Sequence, residues 1–201
     1  MNPRPEPAAL VVTSAIMLSA LSLLSFLPAT GSRAGAEARV TPQAMADAVH
    51  AVIEADRTVY TRNVVNRLQI EEKLIEANEH WKDAKALPLP SQMLRMGSEL
   101  VAEKDIGVSY ALLSLWPINK QNGAKTQAEK AGLRYIADHP GKNYYTEEEL
   151  GGTSYFTAVY PDKAVAEACV SCHNHHKDTP KRDFKLDDVM GGVVVRIALE
   201  P

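Results

Sequence analysis

Apolar residues in the first third of the chain recur at Met45, Val49, Val52, Val59, Val64, Leu68 and Ile75, with charged residues between them. The steps are mostly three or four residues or their sums, the spacing that lines one face of a helix. Thr41 is a good N-cap and Pro42 is tolerated in the first helical turn, so the pattern predicts a helix from Thr41 to about Trp81. The stretch "ALPLP" (Ala86 to Pro90) stops it, because proline cannot continue a helix. Ser91 can cap a second helix running from Gln92 to about Glu103.

From Val108 the period changes. "VSYALLSL" (Val108 to Leu115) has strand composition, Trp116-Pro117 ends it, and "INKQNG" (Ile118 to Gly123) reads as a loop. Lys125 to Asp138 reads as a helix closed by His139-Pro140-Gly141, and "GKNYYTEEELGG" as a loop or short helix. Ser154 to Tyr160 alternates like a strand, and Val193 to Leu199 closes the chain as another, with Gly191-Gly192 as a turn leading into it. Helices come first and separated strands later. That order predicts an α+β domain with an antiparallel sheet, not a βαβ wind.

The N-terminus sits outside this pattern. Leu10 to Leu27 runs 18 residues without a charge, after a short segment carrying Arg4 and before the small-residue site Ala34-Gly35-Ala36. A basic start, an apolar middle and a small-residue exit predict a secretory signal peptide over residues 1–36. The run also reaches the length of a membrane span, so an uncleaved N-terminal anchor is the alternative. Both place residues 37–201, a length that suits one domain, outside the cytoplasm. The full chain carries a net charge of −3, and no basic stripe suggests a nucleic-acid partner. Glu147-Glu148-Glu149 reads as a solvated acidic face, and "KDTPKRDFKLDD" (Lys177 to Asp188) as a mixed-charge loop.

The candidate chemistry lies in "ACVSCHNHH" (Ala168 to His176), which holds both cysteines and half of the six histidines. Cys169-x-x-Cys172-His173 is the c-type haem attachment signature. The two-residue spacer lets both sulfurs reach adjacent vinyl groups of one porphyrin, and His173 is then the proximal iron ligand. Three alternatives remain. A redox CxxC normally opens a helix after a strand in a βαβ unit. A zinc site would need Cys169, Cys172 and two of His173, His175 and His176, all within eight residues. A structural disulfide across so short a loop would be strained.

With that motif in place, "YALLSLWPINKQN" (Tyr110 to Asn122), "GGTSYFTAVYP" (Gly151 to Pro161), "CVSCHN" and "GGVVVRI" together resemble the single-haem, PAS-like c-type sensor domains of secreted bacterial proteins. The resemblance covers about residues 41–199. It implies a PAS-like antiparallel sheet with a long N-terminal helix and one covalent haem c held by Cys169, Cys172 and His173. The expected role is a periplasmic haem-based redox or ligand sensor, or an accessory haem subunit, working with a protein partner and with a small gas as a candidate ligand. Simple electron transfer is the alternative, and a haem enzyme such as a peroxidase ranks last. With both thiols on haem, Met96 is the first candidate for the sixth iron ligand, Met93 the second and His50 the third, because Met93 and Met96 share a face of the helix after "LPLP".

Overall fold

The protein, a computed structural model, is described over residues 39–199; the signal segment expected over residues 1–36 lies outside them. Helix α1 spans Pro42–Val59, with Thr41 accepting the Ala44 amide as its cap. It continues without a break into a π-helical segment, Tyr60–Glu71, whose wider turn shows in the bond from the Glu72 N–H to the Arg67 carbonyl. Helices α2 (Trp81–Ala84) and α3 (Pro90–Ala102) follow, then strand β1 (Val108–Leu113), helix α4 (Gln127–Asp138), strands β2 (Tyr144–Leu150) and β3 (Thr153–Lys163), helix α5 (Glu167–His175) and strand β4 (Val189–Ala198).

The strands form one antiparallel sheet in the order β1-β4-β3-β2. The α+β class expected from the sequence is therefore the observed one. Central β4 is covered on both faces. Val193 and Val195 pack with Ala158, Tyr160, Ala46 and Leu94 under α1 and α3, while Val194 and Val159 pack with Leu133 and Ile136 of α4. Alternation along a strand sends successive side chains to opposite faces, so an unbroken valine run suits a strand buried on both sides.

Five expectations need correction. The first helix stops at Glu71 rather than near Trp81, because Lys73 takes a left-handed conformation (φ 53°). The following loop folds back, with the Ala77 amide donating to the Gln69 side chain at 2.9 Å. Within α1, Met45, Val52 and Val59 are exposed, and the helix instead packs Ala46, Val49 and Ile53 on the sheet. Asp47 fixes that rotation by accepting the hydroxyls of Tyr145 (2.9 Å) and Tyr160 (2.7 Å).

Residues 144–150 form a strand, not a loop or helix. Gly151 (φ 62°) and Gly152 (φ 84°) supply the two positive φ angles of a tight hairpin turn. Glu148 is consequently not a solvated residue. It accepts from Arg196 at 2.8 Å and from Thr157 at 2.8 Å, and Arg196 also reaches buried Glu129 at 2.7 Å.

Gly191 and Gly192 lie inside β4 rather than in a turn before it. A Cβ on Gly191 would sit 2.5 Å from the Leu113 carbonyl oxygen, so glycine is required by close approach of the neighbouring backbone. Gly191→Ala should cost about 1–3 kcal/mol, the usual scale for overpacking. A urea midpoint equal to the parent's would contradict this.

Candidate functional site

A cleft opens at the end of the sheet where α5 meets the π-helical segment. β3 and β4 fall out of register between Asp162 and Lys163, so that Asp162 pairs with Gly191 and Lys163 with Val189. The extra residue is Met190, whose side chain is buried with Ala164 and Phe184. β3 then leads straight to α5, whose backbone is pinned to the long helix. The Ala168 amide donates to Asn66 at 3.2 Å, and Arg62 donates to the Val165 carbonyl at 2.9 Å.

Helix α5 carries Cys169, Cys172 and His173, and all three line the cleft. Both thiols are free. Burial, then the neighbouring Cys169 and Glu79, push the Cys172 thiol up. A redox-active cysteine needs the opposite shift, toward the thiolate. The segment before α5 is the end of β3, but β3 and β4 are antiparallel and form no βαβ crossover. Among the described residues, no three His, Cys, Asp or Glu side chains converge as a metal-holding group of their own. The zinc alternative thus has no preassembled site.

His173 is held edge-on against Phe184 (ring centroids 6.0 Å apart, 88°). Phe184 is fixed in turn by Asn174, which donates to its carbonyl at 2.8 Å and accepts from its amide at 3.0 Å. Burial, then the charge of Arg57 and of His176, lower the His173 pKa to about 4. The imidazole is neutral at neutral pH, the form that ligates metals. Its Nδ1 is buried and has no partner. Two thiols and a neutral imidazole facing one cleft form a donor set that can attach and ligate a c-type haem. The cleft is open to solvent, and the space between its walls and its mouth amounts to about 1320 Å³.

The other walls come from distant parts of the chain. Trp116, Pro117, Ile118, Asn119 and Asn122 of the "WPINKQN" stretch line the cleft. So do Arg57, Thr61, Val65 and Gln69, which recur every four residues along one face of the long helix. Arg57 pairs with Asp162 through a direct ion pair. Burial pushes the Asp162 carboxyl up, while Arg57 pulls it down. Sequence reading did not single out Arg57, Thr61 or Asp162. The step of five from Val59 to Val64, in a run otherwise spaced by threes, fours and sevens, was the available signal of the π-helical turn.

The structure does not bring Met96, Met93 or His50 to the cleft. α3 is indeed one wall, but through Ser91, Gln92 and Arg95; Met96 is 37% exposed on another face. His50 stacks on Tyr160 at 3.9 Å within the helix–sheet contact. Met190 is the methionine that lines the cleft. Lys177, Lys181 and Arg182 are not among its lining residues; Lys181 pairs with Asp183 and lies over Trp116 and Phe184, while Arg182 donates to the Asn174 and Lys177 carbonyls.

A family model described as Tll0287-like matches residues 35–198. Among solved structures, the chain is similar to that of the cyanobacterial heme-protein Tll0287, with a TM-score of 0.51 and 14% identity, covering 79% of this chain and 96% of that one. At that identity the likeness is one of fold. No curated protein matches the sequence.

Proposed function

The chain belongs to the Tll0287-like family, and from that premise we propose that it is an extracytoplasmic, single-haem c-type protein of PAS-like fold acting as a redox or ligand sensor. The observation that carries this reading is the convergence of Cys169, Cys172 and His173 on one large cleft. The description of Tll0287 as a heme-protein supports it. Cys169 and Cys172 would hold the group through thioether bonds, each S–H adding across a vinyl double bond so that attachment would need no oxidant. Neutral His173 supplies the proximal ligand, oriented by Phe184 and, through it, Asn174. Haem held by these residues would supply one-electron redox chemistry.

The sensing role is supported by the wall opposite the motif in sequence. That wall is the long helix, so movement at the cleft would be felt along α1, an element able to carry it to a protein partner. The reading includes no catalytic turnover and no nucleic-acid partner. It places the domain beyond the cytoplasmic membrane on the strength of the N-terminal segment, with membrane attachment only if that segment is retained. Expressed with a cytochrome c maturation system, the protein should gain the mass of one haem and stay red after acid–acetone treatment. Colour that passes into the acetone would overturn covalent attachment.

A further inference from the structure

Two donors in the cleft have nothing to bind. Thr61 is 0% exposed, yet its hydroxyl has no hydrogen-bond partner. A threonine within a helix ordinarily satisfies itself on a carbonyl of the preceding turn; Thr61, at the start of the π-helical segment, does not. One turn earlier, Arg57 spends Nη1 on Asp162, but its buried Nε is also without a partner. Both side chains line the same cleft as His173 and approach it from a different element. Buried polar groups in folded proteins are nearly always paired, so two orphan donors four residues apart on one helix face point to an acceptor that arrives from outside.

The cleft's potential iron ligands narrow the choice. Besides His173, the lining histidine is His176, which follows it by three residues on the same short segment, and the lining methionine is Met190, packed against Ala164 and Phe184. The other arginine lining the cleft, Arg95, is half-exposed and donates to Glu99 and Gln121, whereas Arg57 is only 12% exposed beside Asp162. Resting on the haem reading above, we infer that Arg57 and Thr61 form a subsite for a small exogenous axial ligand, one with a hydrogen-bond-accepting end, such as a diatomic molecule or small anion. The ion pair with Asp162 holds the guanidinium in place, leaving its Nε–H and the Thr61 hydroxyl as the donors.

The test uses the holoprotein, with haem attachment verified first by mass so that absence of haem is read separately from absence of ligand binding. Cyanide is titrated into the ferric form and carbon monoxide into the ferrous form, both followed optically. The parent should bind both. Thr61→Val, which keeps the shape and removes the donor, should weaken cyanide binding roughly tenfold, the scale of one lost hydrogen bond. It should also raise the infrared stretch of bound carbon monoxide, while Thr61→Ser restores both. The paired variant Arg57→Met with Asp162→Asn removes the second donor without stranding a buried carboxylate, and should weaken cyanide binding further. A loss confined to cyanide assigns the subsite to anions; losses of both assign it to acceptor-bearing ligands in general. Equal affinities and an unmoved stretch in Thr61→Val overturn the inference. So does a parent that takes up neither ligand, which would show a side chain such as Met190 holding the axial position.

Discussion

Changing Cys169 and Cys172 together to alanine should yield a folded protein with no covalently bound haem, the largest chemical effect expected from any pair of substitutions in the chain. Covalent attachment needs a cysteine sulfur, and the sequence has no cysteine besides these two to supply one. The single variants should differ from the pair in degree. Each leaves one thiol facing the cleft, so some haem mass should survive denaturation, in lower yield. The fold itself should tolerate the change, since neither cysteine belongs to the two apolar clusters on the sheet, and Cys169 contributes only to the small cluster under α5. Mass spectrometry under denaturing conditions and far-ultraviolet circular dichroism separate the two effects. A double variant that still carries haem mass through denaturation would refute the assignment of the motif.

The largest stability effect is expected at Arg196. Its guanidinium, on β4, bridges Glu129 of α4 and Glu148 of β2, and all three side chains are nearly excluded from solvent. Burial by itself would raise the Glu129 pKa. The hydrogen bond from Arg196 and those from the Thr126 and Lys125 amides outweigh it and hold the carboxyl below its ordinary value. Arg196→Met strands two carboxylates in the packed interior and should cost about 3–5 kcal/mol at neutral pH. The pH dependence has a definite sign. In the parent, Glu129 contributes stability that is present above its ordinary carboxylate pKa and is lost as pH falls through its lower folded value. In Arg196→Met the stranded carboxylates favour protonation, so the gap between parent and variant should be widest near neutrality and narrow in acid. Replacing Glu129 and Glu148 by glutamine in the same background should recover much of the loss, because no buried charge remains. Urea midpoints across pH measure all three. A gap that stays constant or widens in acid would rule out this account.

Several parts of this molecule were legible in the sequence because they are local. Thr41-Pro42 begins α1, and Thr126 with Glu129 forms the capping box of α4. A cap is decided within four residues, so a linear reading finds it. The valines of β4 announced a buried strand for the same reason. The hairpin strand β2 was present in the text as two runs flanking Gly151-Gly152, but its three consecutive glutamates masked the signal. Only the middle one, Glu148, turns inward, and its burial depends on Arg196, 48 residues away in sequence.

The sequence by itself brought the two thiols and the imidazole of the candidate site together, because Cys169, Cys172 and His173 fall within five consecutive residues. It also determined the α+β class, through the change of hydrophobic period near Val108. Only the tertiary structure decided what faces that donor set. The α3 helix forms a cleft wall, but it turns Gln92 and Arg95 to the cleft rather than Met93 and Met96. Periodicity says which residues share a face and leaves open where the face points. Arg57 reaches the cleft from the end of α1, which tyrosines from β2 and β3 lock through Asp47, and Thr61 reaches it from the π-helical segment that begins at Tyr60. Those contacts join residues about a hundred positions apart, and such pairings exist only once the sheet and the helix have packed.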